Sequence, residues 1–239
     1  MPYYGGFFID PMYFVFIIPA ALLALYAQWR VKSAYNRWSQ VRNSRNLTGT
    51  DVARILLPRE NLAQVPVQEV PGQLSDNYDP RRNVLNLSPA VAEQPSIASV
   101  SIAAHEIGHA EQDRDGYLWM KLRGGIVPFV NFGSTFGYII FFIGLLGQIP
   151  SLAWVGIFLV SAGAIFALVT LPVEMNASVR AMRMLNENGL IASEEERGAM
   201  HDMLTAAALT YVAAAAQAVS VILYYIFILM GNSNRRRSD

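Results

Sequence analysis

Residues 103–110 carry the pattern His105-Glu106-Ile107-Gly108-His109. On a helix the four-residue step puts both imidazoles on one face, about one turn or 6 Å apart. Two neutral imidazoles at that spacing can hold one zinc ion. Glu106 projects beside the pair and can take a proton from a zinc-bound water, whose pKa the metal lowers to roughly 7. That is the chemistry of peptide hydrolysis. The chain has three histidines and two stand in this one pattern, which weighs against histidines that merely pack or meet solvent.

A tetrahedral catalytic zinc needs a third protein ligand and an open position. Asp113 shares the helical face of the histidines but lies about 12 Å from His105 along the axis, too far to complete the site. Glu111 points elsewhere on the helix, and Gln112 and Asp115 stand where the short metzincin spacing requires Gly and His. The third ligand therefore comes from a distant segment, and Glu174 and His201 are the candidates.

The elements that must bring these residues together are largely apolar. At 239 residues the length suits one or two domains. Hydrophobic residues make up 53% and charged residues 15% of the chain, against an average of roughly 25% charged, which points to a membrane. The formal net charge is zero, so nothing in the overall charge calls for nucleic acid or another anionic partner. Without cysteine there are no disulfides, thiolate ligands or cysteine nucleophile.

Met12 to Trp29 is free of charge and long enough to span a bilayer. No Lys or Arg precedes it among Tyr3, Tyr4, Phe7 and Phe8, so it reads as an uncleaved first span rather than a signal peptide. Residues 43–123 are polar enough for a small water-exposed region. There a helix starting near Thr50 and ending at Pro58 is expected, then strands over Val65–Val70 and Asn83–Ser88 joined as a hairpin across the turn-rich Asp76-Asn77-Tyr78-Asp79-Pro80. A helix over Ser96–Asp113 carries the metal motif.

Two apolar runs follow, Ile126–Ile149 and Leu152–Leu171, and the short Pro150-Ser151 link forces an antiparallel transmembrane hairpin. Within it, Gly133 and Gly137 offer a face for close helix packing. Ser193 with Glu196 signals the start of a helix that enters the membrane through a fourth run, Ala206–Met230. The hairpin has a consequence for the metal. It returns the segment after Leu171 to the membrane face that bears the metal helix. Glu174 is favoured over His201 because a carboxylate so close to the bilayer boundary needs a reason. The competing explanation is an ion pair of Glu174 with Arg180 or Arg183, and His201 reads as a solvated helix residue.

The chain thus divides into a first transmembrane helix and its extension (1–42), a catalytic region with the hairpin and the His-Glu-x-x-His helix (43–123), a transmembrane helical hairpin (124–171), third-ligand helices (172–205), and a fourth span with a basic tail (206–239). The fold class is mainly α and polytopic, with about four transmembrane helices and a small α+β zincin-like catalytic region.

His105-Glu106-Ile107-Gly108-His109, Asn77-Tyr78-Asp79-Pro80-Arg81, Pro172-Val173-Glu174 with Asn176-Ala177-Ser178, and Leu209-Thr210-Tyr211-Val212-Ala213 together resemble the YugP-like neutral zinc metallopeptidases, over nearly the whole chain. More distantly the chain is similar to the HtpX and CAAX-prenyl membrane proteases, gluzincins whose third ligand is the Glu of a Glu-x-x-Ala-Asp pattern. Glu174 and Ala177 fit that pattern, but Ser178 stands where those relatives have Asp, which leaves open what supports the ligand histidines. The resemblance also implies that Asn83–Ser88 is an edge strand with which an extended peptide substrate pairs.

The sequence therefore reads as an integral membrane zinc endopeptidase. His105, His109 and Glu174 hold Zn2+, and Glu106 acts as general base and then general acid. Tyr78, Arg180, His201 and Tyr211 are alternative donors to the developing oxyanion. The expected partners are a peptide or protein substrate, membrane proteins among the options, together with lipid and either a membrane partner or further copies of the chain, and no nucleic acid. A non-catalytic membrane scaffold with a structural zinc site is the alternative. A structural site has no use for Glu106 and is usually closed by four protein ligands. Arg30, Lys32, Arg37, Arg42 and Arg45 after the first span, with Arg114, Lys121 and Arg123 before the second, put the active site on the cytoplasmic face of the cell membrane. Arg235-Arg236-Arg237 pulls the other way, since four spans leave the C-terminus outside.

Overall fold

In a computed structural model, residues 11–235 are described, apart from the side chains of 134 and 232–235. Tyr3, Tyr4, Phe7, Phe8, Arg236 and Arg237 lie outside the described residues. The elements are α1 (Pro11–Trp38), α2 (Gly49–Arg59), β1 (Val67–Glu69), β2 (Asn77–Asp79), β3 (Val84–Leu87), α3 (Pro89–Glu93), α4 (Ile97–Arg114), α5 (Leu118–Leu146), α6 (Pro150–Glu187) and α7 (Glu194–Arg235). α1, α6 and α7 are long and apolar enough to cross a membrane, and α5 qualifies as a bent pair of segments, making three or four candidate spans. The protein is a mainly helical polytopic chain with a small sheet.

The chain forms two compact units. The first takes residues up to Tyr26, Leu122–Thr170 and the chain from Tyr211 onward. In it α5 and α6 run antiparallel: Gly133 and Gly137 lie against Leu159 and Val160, while Gly144 lies against Ala153. A side chain at Gly133 would run into the Leu159 carbonyl, so the Gly-x-x-x-Gly face does bring the two helices together. Phe141, stacked on Tyr225 with ring centroids 4.3 Å apart, is fully buried here with Ala153, Ile157 and Leu229.

The second unit takes Ala27–Lys121 and Leu171–Thr210 and holds the larger core. Leu56 of α2, Leu85 and Leu87 of β3, Ile107 of α4, Met184 and Leu185 of α6, and Met200 of α7 meet there. Thr48 caps α2 in a reciprocal box with Asp51, two residues before the expected start. Leu56 and Leu57 continue its buried stripe, and Pro58 falls in its last turn. α4 begins where the sequence suggested. The Ser96 side chain accepts from the Ser99 backbone N–H at 3.0 Å, and no helix breaker follows until Gly108. Ala98, Ala103, Ala104, Ile107 and Ala110 are buried, because α4 has neighbours on nearly every side.

The sheet departs from the sequence reading. β1 runs parallel to β3, Val67 opposite Leu85, so these two strands cannot form a hairpin. The hairpin is β2–β3, antiparallel with Tyr78 opposite Leu85, and the order β1-β3-β2 makes β3 central. Asn83–Ser88 is therefore not an edge strand, since both sides of β3 are paired, and the edges are β1 and β2. The expected turn at 76–80 is partly a strand. Its polar side chains are already engaged: Asp76 accepts from the Ser88 backbone and hydroxyl, and Asn77 Oδ1 accepts from Asn86 Nδ2 at 2.8 Å.

Candidate metal centre

α4 places His105 and His109 one turn apart, with ring centroids at 4.8 Å. Ala181, Met184 and Leu185 hold α6 in the same core, and Val173 and Ala177 are buried on the same helix. Pro172 lies inside α6 without ending it, so one helix carries both the apolar run and Glu174. The close contact is at Gly108. A Cβ there would lie 2.6 Å from the Ala177 carbonyl oxygen, so a side chain between the two histidines would push α6 away.

Glu174 Oε2 stands 3.3 Å from His105 Nε2 and 3.4 Å from His109 Nε2, across 69 residues of sequence from the former. Ligand atoms about 2.0–2.1 Å from zinc at the corners of a tetrahedron are roughly 3.3–3.4 Å apart. The two separations fit that edge, and all three ligand atoms lie within 4.8 Å of one another. Two imidazole nitrogens and one carboxylate oxygen suit zinc, and they leave a fourth corner for water. Burial alone would raise the Glu174 carboxyl. Hydrogen bonds and charge from His105 and His109 outweigh it and hold the group well below the ordinary carboxylate range. Burial would lower His109, yet the bond to Glu174 and the Glu106 charge raise it.

Glu106 is not among the three converging groups. Its Oε2 accepts the Tyr78 backbone N–H at 3.0 Å, so β2 holds the carboxylate beside the metal-capable cluster. Burial pushes its pKa up, against the lowering influence of His105 and His109.

The groups behind the imidazoles were not legible as such. Ser178 Oγ lies 3.2 Å from His105 Nδ1, and Gln112 Oε1 lies 3.0 Å from His109 Nδ1. Both spacings held a signal, since Ser178 is four residues after Glu174 and Gln112 three after His109, each on its ligand's face.

His201 is exposed, with Nδ1 3.3 Å from Thr205 Oγ1, and does not join the cluster. Arg180 and Arg183 do not pair with Glu174. Arg180 reaches Asp115 at 2.7 Å and Glu111 at 3.2 Å, and Arg183 reaches Glu111 at 2.7 Å. Tyr78 spends its hydroxyl on Asp113 at 2.8 Å and Asn83 at 2.9 Å. Tyr211 belongs to the other unit.

Residues 13–230 match the family model described as "Putative neutral zinc metallopeptidase". The chain is 43% identical over 220 residues to the "Putative membrane protease YugP" of Bacillus subtilis (strain 168), covering 92% of this chain and 97% of that protein. No solved structure matches it significantly. Zinc is thus the metal to which the cluster of His105, His109 and Glu174 corresponds, and the chain belongs to the YugP-like family of neutral zinc metallopeptidases.

Proposed function

We propose that this protein is an integral membrane zinc endopeptidase of the gluzincin type, with His105, His109 and Glu174 as zinc ligands and Glu106 as general base and then general acid. The observation that carries the reading is the meeting of Glu174 Oε2 with both histidine Nε2 atoms, while Glu106 is kept out of that group by the Tyr78 N–H. Zinc bound there supplies Lewis acidity, making water nucleophilic near neutral pH and polarising a peptide carbonyl. Glu106 Oε1, free of the Tyr78 bond, takes the proton from the attacking water and returns it to the departing amine. Tyr78 fixes the direction in which that carboxylate faces.

The catalytic region 43–123 works with the third-ligand helices 172–205. The substrate is a peptide or protein, membrane proteins included. An extended substrate would pair with an outer strand of the sheet rather than with β3, and β2 is the edge that reaches Glu106. The centre faces the cytoplasm from the cell membrane, in keeping with the basic residues that flank the first two apolar runs. A scaffold with a structural zinc accounts for less, because it gives no role to a carboxylate held beside three ligands.

The test is Glu106→Gln in the full chain. Zinc content and melting temperature should stay at wild-type values while proteolysis is lost, and wild-type activity in that variant would sink the mechanism.

A further inference from the structure

Three polar side chains behind His109, those of Gln112, Asn176 and Arg180, form a hydrogen-bond chain whose direction is fixed at one end. Arg180 has only donors to give. Its Nε donates to Asn176 Oδ1 at 2.8 Å, so Asn176 presents its oxygen at that point. Gln112 Nε2 donates to the same Oδ1 at 3.0 Å and to the Val173 carbonyl at 2.7 Å. Both partners are acceptors there, which leaves the nitrogen of the Gln112 amide facing α6 and its oxygen facing His109 Nδ1 at 3.0 Å. An amide oxygen can only accept, so Nδ1 must carry the proton. In the neutral ring the Nε2 lone pair is then free on the side where Glu174 stands. Gln112 is wholly buried, and Arg180 is anchored by Asp115 and Glu111.

We infer that Gln112 is a positioning residue for the zinc centre, fixing His109 in the tautomer that offers Nε2 to the metal, with its own amide oriented by Arg180 through Asn176. His105 is held differently. The Ser178 hydroxyl behind it can donate or accept, so it steadies the ring without dictating the proton. The inference rests on His109 being a zinc ligand.

The test uses the full-length protein in detergent, with zinc affinity read by chelator competition, the visible spectrum of the cobalt-loaded protein, and melting of the metal-free form. Gln112→Leu should bind zinc about 10–100-fold more weakly and change the cobalt spectrum. Gln112→Glu keeps an acceptor for Nδ1 but gives up both donations to α6. It should retain most of the zinc affinity while the metal-free protein melts earlier. An equal loss of affinity in the two variants would mean that Gln112 only ties α4 to α6, and unchanged affinity in Gln112→Leu would give it no role. Either result overturns the inference. Nitrogen-15 NMR of histidine in the zinc-loaded wild type gives a readout that does not depend on the variants folding: His109 should show a protonated Nδ1 and a coordinated Nε2, and coordination through Nδ1 overturns the inference directly. His109→Ala separates the two claims. Wild-type zinc affinity in that variant would sink the reading of the ligand itself, whereas lost affinity there with no effect of Gln112→Leu sinks only the role of Gln112.

Discussion

Behind each imidazole stands a neutral group, a hydroxyl at His105 and an amide at His109, where a carboxylate would make the ring a stronger donor to the metal. Converting Ser178 to Asp should therefore tighten zinc binding and Ser178→Ala should loosen it, each by roughly tenfold or less. Chelator competition on the three proteins tests the order, and a Ser178→Asp variant that binds more weakly than wild type would contradict it. The choice of third ligand is testable the same way. Glu174→Ala should lose zinc under conditions in which His201→Ala retains it, since only Glu174 reaches the two Nε2 atoms. These chemical groups were readable from the sequence to different degrees. The histidine pair and Glu106 announce themselves by spacing, and Glu174 follows from the hairpin and from the cost of a carboxylate near lipid. Ser178 stood out only as a departure from the Asp of the relatives, and Gln112 and Asn176 look like ordinary polar helix residues until the tertiary contact of α4 with α6 gives all three partners.

That contact is set by a missing side chain at Gly108. Gly108→Ala places a Cβ against the Ala177 carbonyl, which is main chain and cannot swing aside, so a cost of about 1–3 kcal/mol is expected, with zinc affinity falling as Glu174 is displaced. Thermal melts of metal-free and zinc-loaded protein measure both effects. α2 offers a pH-dependent counterpart away from the metal. Hydrogen bonds from the Thr48 side chain and backbone hold the Asp51 carboxyl below its ordinary value. A depressed folded-state pKa adds stability above the unfolded value of about 3.9, and that stability is lost as pH falls through the lower folded value. Asp51→Asn should flatten the acid limb of a stability-versus-pH curve, and an unchanged limb would count against the box. Helices such as α4 were legible because a breaker-free run with a Ser cap depends on local chemistry alone. β1 and β3 lie within the expected Val65–Val70 and Asn83–Ser88, but their pairing was not legible, because strands of three or four residues choose partners through the core. Tyr78 illustrates this: it sits among turn-forming residues, yet its buried ring and its bonds to Asp113, Asn83 and Glu106 make 77–79 a strand.

Tags at the two termini of protein in sealed vesicles report which side of the membrane the metal centre faces. With the metal centre in the cytoplasm, a tag on the N-terminus should be digested by protease added on the extracytoplasmic side. The region 43–123 should survive the same treatment, and its digestion would reverse the assignment. A protected C-terminal tag would mean only that the run Ala206–Met230 does not cross. The order of the elements along the chain adds a temporal dimension. The two histidines are made on α4, and the carboxylate that joins them comes on the far side of α5 and most of α6. On the proposed reading, a chain still on the ribosome holds His105, Glu106 and His109 but completes the metal-capable cluster only once residue 174 has emerged, after the intervening apolar helices. On the proposed activity, the chain is thereby latent until its third ligand has been made.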